Sequence, residues 1–417
     1  MKTENPKNVE APAFRWRRHP FAAAVAVAIV LAAPAAAVAA EEAAAVSAAA
    51  PVPGGEAGED AAVAREVLAK AGGWLLANQK EDGSFSGPKH PGLTAIALWG
   101  LEGAAAAKSS AGGDASAELA AAEKAAEWIL GKAQPDGGFY TPIPGRAGGG
   151  LSTYNTALCL TALSFCRRDD AGFVGKILAA RSFLASSQLE GDDGFAGGFG
   201  YDKAAPHRYA DLNNAVFAIE AMRRTQRFED FRPAGEEKAD LDWDAALSFV
   251  ESLHNGENAG EDAGGFAYSH ADAKAGTAEG KDGKIVLRSY GSITYSGLLA
   301  LVYCKLPPHD PRVRSALDWA SRHWTLEENP GMGEQGLYFF YDIVGRSLSV
   351  SGIGEIPVAG GEGGTVAWRP ALLAKLRSLQ RRDGSFANRN GRYWENDPVL
   401  ATGYSAVTAA FAAGFLK

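Results

Sequence analysis

The chain carries two kinds of apolar segment, and they alternate. In the first kind, apolar positions recur every three or four residues and leave one polar face. Val63–Asn78, Glu118–Ala133, Phe173–Ser187, Trp243–His254, Val313–Trp324 and Arg369–Leu379 follow this pattern. It predicts surface helices with one buried stripe each. In the second kind, almost every position is apolar or small. Thr94–Leu98, Thr156–Leu160, Asn214–Ala218 and Ser296–Ala300 align, and Asp342–Val344 and Ser405–Val407 complete the set. A helix that is apolar nearly all round must be buried. The pattern predicts six outer and six inner helices.

Between the two kinds sits a recurring Gly-aromatic element. Gln79–Phe85 reads QKEDGSF, Gln134–Phe139 reads QPDGGF and Gln380–Phe386 reads QRRDGSF. Looser copies run from Gln188 to Phe199 and over Gly264–Phe266, and a degenerate one over Gly333–Tyr338. Their aromatic positions are 48 to 72 residues apart, which is room for two helices and two loops. Gly supplies the turn geometry. The Gln amide is expected to bond carbonyls at a helix end, stapling each outer helix to the next inner one. Six helix pairs suggest a closed double ring. The element thus speaks for fold and not for chemistry.

At these residues the chain resembles the terpene cyclase/protein prenyltransferase superfamily. The elements look like the QW motifs of squalene–hopene and oxidosqualene cyclases, within the prenyltransferase and squalene-oxidase repeats. The resemblance covers about residues 58–417 and implies an all-α, single (α/α)6 toroid. The family's chemistry does not transfer with it. Class II cyclases protonate their substrate with D-x-D-D, and the nearest string, Asp240-Leu241-Asp242-Trp243-Asp244, opens an outer helix, where Asp is an ordinary cap. At the positions aligned with the zinc ligands of protein prenyltransferases stand residues such as Ser152, Ala210, Tyr154 and Asn155, so no metal and no cofactor are expected. Gly331-Met332-Gly333-Glu334-Gln335 is similar to the G-C-G-E-Q thioester motif of complement, but Met332 replaces the Cys that the thioester needs.

In such toroids the inner-helix N-termini face a central cavity, and the resemblance implies the same here. Those ends carry an unusual polar and aromatic set. Asp211 and Asp342 are the acid/base candidates, with His207 and Tyr341 as partners. Tyr154, Asn155, Tyr209, Asn214, Tyr290, Tyr295, Tyr338, Trp394, Asp397 and Tyr404 are the ligand-binding candidates. His90, Asn213, Tyr393 and Glu395 belong to the wider set. Capping is the competing account for Asp and Asn at helix starts, and core packing for Tyr.

Composition and charge narrow the partners. Gly makes up 50 of 417 residues, about 12% against a usual roughly 7%, but shows no collagen period. Net charge is −8. Residues 1–40 hold five basic and two acidic residues, so the chain without them carries −11. That charge repels nucleic acid and anionic lipid. Cys159, Cys166 and Cys304 form no paired spacing, so neither a disulfide framework nor a Cys-rich zinc site is expected.

The first forty residues combine Arg15-Trp16-Arg17-Arg18, an apolar run from Phe21 to Ala33, and Val38-Ala39-Ala40. This is the layout of a secretory signal peptide, with an uncleaved anchor and peripheral membrane association as the alternative. Residues 41–57 read as a flexible linker and 58–417 as the toroid. Two long loops, 267–288 and 349–364, read as disordered, with a lid or partner surface as the other account.

The leading expectation is an exported periplasmic or extracellular protein that binds a small apolar, isoprenoid-like molecule in its cavity. It would lack both the D-x-D-D acid and the zinc triad. The rivals are a non-catalytic protein-interaction scaffold, and a polysaccharide lyase or glycosidase acting on carbohydrate through Asp211, Asp342 and Asp397.

Overall fold

The structure is a computed structural model that describes residues 56–417, apart from 86, 88, 145–148, 206 and 359–363. The expected signal peptide and nearly all of the expected linker lie outside the described residues.

The described chain is mostly α-helical. Its twelve α-helices among the described residues are α1 (Glu56–Asn78), α2 (Pro91–Ser110), α3 (Ser116–Leu130), α4 (Ser152–Leu163), α5 (Ala171–Ala185) and α6 (Leu212–Arg224), followed by α7 (Trp243–Ser252), α8 (Gly291–Tyr303), α9 (Pro311–Arg322), α10 (Leu337–Val350), α11 (Trp368–Leu379) and α12 (Pro398–Ala412). The even-numbered helices are the all-apolar ones. In α2, α4, α8 and α12 nearly every residue is buried. The odd-numbered helices α3, α5, α7, α9 and α11 bury one stripe.

Each even-numbered helix packs against the next, from α2 through α12, and α12 returns to α2. That last seam is tight because both helices present small residues to it. A Cβ on Gly103 would lie 2.8 Å from the Ala410 Cβ, and one on Gly403 would lie 2.6 Å from Ile96. Ala-for-Gly changes there would force the pair apart.

The Gly-aromatic element differs from expectation in what it joins. Gln79 donates to the Ala121 carbonyl of α3 at 2.8 Å, and Gln380 to the Val67 carbonyl of α1 at 3.0 Å. Both targets lie in the next outer helix, not the next inner one. The following Gly is pressed against that same outer helix: Gly83 (φ +90°) would place a Cβ 2.3 Å from the Lys124 carbonyl oxygen. The inner helix is reached instead through the aromatic residue's backbone. The N–H of Phe85, Phe139, Phe266 and Phe386 donates to Thr94, Thr156, Thr294 and Thr402 respectively, at 2.9–3.2 Å. The Thr hydroxyl satisfies a backbone donor that would otherwise be buried and unpaired.

The two long loops are partly ordered, against the expectation of disorder. The first contains a small antiparallel hairpin, β1 (Thr277–Glu279) with β2 (Ile285–Leu287), and in the second β3 (Glu355–Pro357) pairs with β4 (Thr365–Ala367), which follows the loop directly. No described helix is long and apolar enough to cross a membrane.

Candidate ligand cavity

The N-terminal halves of the even-numbered helices surround a cavity of about 350 Å³. Gly92, Leu93 and Ile96 come from α2, Tyr154, Asn155 and Leu158 from α4, Asn213 and Phe217 from α6. Ser292 comes from α8, Phe339 from α10, and Leu400 and Tyr404 from α12. Loops supply His90, Tyr201, Lys274, Met332, Gln335, Tyr393, Trp394 and Glu395 among others. The deeper wall is aromatic. Phe217 meets Tyr154 edge-on at 5.5 Å and Phe339 at 5.9 Å, and Phe339 meets Tyr404 at 5.8 Å. Tyr154 and Tyr404 are hydrogen-bonded to each other, and burial pushes the Tyr154 hydroxyl up to about 12. Both phenols are neutral in this setting.

The rim is built differently. Tyr393 and Trp394 both sit at left-handed φ, +61° and +64°, and both rings are substantially exposed. Such backbone costs roughly 1–3 kcal/mol per non-Gly residue and persists only where its surroundings enforce it. Here Asn390 donates its N–H to Asn388, Arg392 to Asn390, and Trp394 to the Gly391 carbonyl. Glu395 then ties the turn to α10 by accepting from the Phe339 N–H at 2.8 Å and from Asn388 at 2.8 Å. Its carboxylate is a cap for a helix N-terminus. Trp394 leans on His90 at 4.8 Å, and burial lowers the His90 pKa, so that imidazole is neutral.

Of the candidates named from sequence, the structure brings Tyr154, Asn155, Tyr290, Trp394 and Tyr404 to the cavity. The other candidates lie elsewhere. Asp211 is fully buried and caps α6, accepting from the Asn214 N–H and side chain at 3.0 and 2.7 Å. Burial raises its pKa despite those bonds. Asp397 caps α12 through the Val399 N–H. His207 is exposed and Tyr209 half-buried beside Phe195. Tyr295 packs on Phe340, Tyr338 lies between Tyr341 and Phe386, and the Tyr341 hydroxyl donates to the Leu326 carbonyl. Asp242 caps α7 and Asp240 accepts from the Trp243 indole, so the D-x-D-x-D string serves an outer helix.

Asp342 belongs to a different structure, a plug below the cavity. Arg346 bonds Asp342 at 2.6 and 3.0 Å and also contacts Glu220. Arg224 bonds the other Glu220 oxygen at 2.9 Å, and the Tyr303 hydroxyl donates to it at 3.0 Å. Trp99, Phe165 and Phe411 surround the two guanidiniums, with Arg346 5.1 Å from the Trp99 ring and Arg224 4.9 Å from the Phe165 ring. Burial outweighs Arg346 and lifts the Asp342 carboxyl to about 6, while the two arginines hold Glu220 below its ordinary value against burial. Asp342 Oδ1 has no hydrogen-bond partner.

Sequence reasoning did not reach Tyr201, Lys274, Phe217, Phe339 or Gln335. Phe217 and Phe339 carry ordinary core residue types. Tyr201 and Lys274 come from loops, and nothing local marks a loop residue as cavity-facing. Among the described residues no group of three or more His, Cys, Asp or Glu is placed to hold a metal, and the three cysteines are free thiols.

No family model matches the chain, and no curated protein matches it. Similar solved structures exist. One is the type II terpene cyclase MstE from Scytonema, in complexes with geranylgeranyl dihydroxybenzoate and with merosterolic acid A. It is 12% identical, with 86% of this chain and 99% of that chain covered and a TM-score of 0.49. Another is a protein from Actinoplanes, 13% identical, with 84% and 99% covered and a TM-score of 0.46. Likeness at this level leaves the chemistry of the cavity to be argued from its own residues.

Proposed function

We propose that the chain is an (α/α)6 toroid of six helix pairs whose cavity binds a small molecule with an apolar body. The circuit of contacts from α2 to α12 and back supports the ring. The observation that carries the function is the deep aromatic wall of Tyr154, Phe217, Phe339 and Tyr404, open to a rim of partly exposed aromatics. Apolar concave sites with a few converging polar groups are the usual form of small-molecule sites. The sequence resemblance to isoprenoid cyclases points the same way, without their D-x-D-D acid or zinc triad. Among the described lining residues Glu395 is the one carboxylate and both its oxygens are engaged, which weighs against glycosidase chemistry.

The test is binding of the neutral dye N-phenyl-1-naphthylamine to the full chain. One saturable site is expected. Ile96→Trp with Leu158→Trp should fill the cavity and abolish binding while the circular-dichroism spectrum stays helical. Failure of the wild-type chain to bind this dye or any apolar competitor overturns the reading. Export is the companion proposal, resting on residues 1–40. N-terminal sequencing of the mature chain tests it, and an intact Met1 in a cytoplasmic fraction counts against it.

A further inference from the structure

Among the described residues that line the cavity there is one lysine and no arginine. Lys274 comes from the loop that precedes β1, and it makes no ion pair and no hydrogen bond among the described residues. Its ammonium instead lies 3.3 Å from the Tyr268 ring centre and 5.4 Å from that of Tyr393. Ring faces attract a cation but do not replace a counter-ion once water is removed. The carboxylates nearby do not serve. Asp211 is pushed toward its neutral form by burial and is engaged by Asn214, while Asp272 is exposed to solvent. Both Glu395 oxygens are taken by the Phe339 N–H and Asn388. Two neutral donors share the same space. The Gln335 side-chain amide makes no hydrogen bond among the described residues, and neither does the Asn213 amide nitrogen.

We infer that Lys274, with the Gln335 and Asn213 amides, forms a head-group site for a singly charged anion, a carboxylate, on an amphipathic ligand whose tail occupies the aromatic cavity. One cation with neutral amide donors suits one negative charge. A phosphate or diphosphate would bring a second charge, and the next cation, Arg392, is exposed to solvent and does not line the cavity. The tyrosine rings beside Lys274 fix the ammonium in place, so little is lost in ordering it when the ligand arrives. This inference rests on the apolar-cavity reading and adds the chemistry of the ligand's polar end.

Three probes with one tail test it: 1-dodecanol, dodecanoate and dodecyl phosphate, each displacing N-phenyl-1-naphthylamine from the full chain below the micelle range. Dodecanoate should bind at least about tenfold more tightly than dodecanol, the ratio a charge-assisted hydrogen bond supports. In Lys274→Met that ratio should fall to within about threefold, with an unchanged helical circular-dichroism spectrum and unfolding midpoint as the sign that the fold is intact. Equal binding of acid and alcohol by the wild-type chain overturns the inference, as does an acid preference that survives in Lys274→Met. Tighter binding of dodecyl phosphate than of dodecanoate overturns the single-charge assignment. If none of the three displaces the dye, or the dye itself does not bind, the cavity reading falls and this one with it.

Discussion

The two ends of the even-numbered helices solve opposite problems with similar residue types. Toward their N-termini, Tyr154, Phe217, Phe339 and Tyr404 leave an open space between them. Further along, Trp99, Phe165 and Phe411 close around two arginines and two acids. Aromatics therefore do not by themselves announce a ligand site. The difference lies in what fills the centre. In the plug, the guanidiniums are satisfied by Glu220 and Asp342 within the protein. In the cavity, Lys274 makes no ion pair among the described residues and rests against two ring faces. A partly buried cation with no ion pair in the fold points to a ligand, whereas cations paired within the fold, as Arg224 and Arg346 are, point to packing.

The sharpest way to break this contrast is Arg346→Ala. It leaves Glu220 and Asp342 buried without their shared partner, and stability should fall by about 3–5 kcal/mol in urea unfolding. A loss under about 1 kcal/mol would mean that the plug is hydrated and the contrast false.

The next effect is pH-dependent. Glu102 on α2 is 8% exposed, and burial lifts its carboxyl from 4.5 to about 7. The folded chain therefore holds this proton more tightly than the unfolded chain does. Its contribution to stability is full below about 4.5 and is lost as pH rises to about 7, by ~3 kcal/mol. Glu102→Gln should match wild type at pH 4 and exceed it at pH 8, as read by thermal unfolding at both values. A Gln variant that gains nothing at pH 8 would place Glu102 in water.

The smallest stability effect belongs to the rim. Trp394→Gly removes a half-exposed ring and places at φ +64° the one residue that tolerates it. Unfolding free energy should change by less than about 1 kcal/mol, because relieved strain offsets the lost His90 contact. Dye affinity should drop several-fold. A large destabilisation with unchanged binding would make Trp394 part of the core and not of the site.

Much of the helical architecture was legible because the hydrophobic pattern recurs. Alternating amphipathic and all-apolar segments mark α1–α12, and six Gly-aromatic elements mark the joints. The direction of the staple was not legible, since a Gln in sequence does not say which carbonyl it will reach. The site was legible only in part. Tyr154, Asn155 and Tyr404 were found because helix starts were inspected for polar and aromatic residues. The same inspection selected Asp211 and Asp397, which cap their own helices. Asp342 and Arg346 are four residues apart on α10, as are Glu220 and Arg224 on α6. That spacing favours ion pairing on one helix face and was a readable sign that these acids are paired. Lys274 could not be found this way, because its position depends on how a 22-residue loop folds over the cavity mouth.

The seam between α2 and α12 also orders events in time. α12 packs against both α1 and α2, and Gln380 reaches back across 313 residues to Val67. During synthesis α2 is made early and meets α1, α3 and α4 first, while the apolar face that α12 covers is still open. It stays so until α12 has been made. Contacts over such separations are slow to form, because a long loop must close before they contribute. The nascent chain thus passes through a stage in which one apolar face of α2 meets water, and it ends only when α12 packs there.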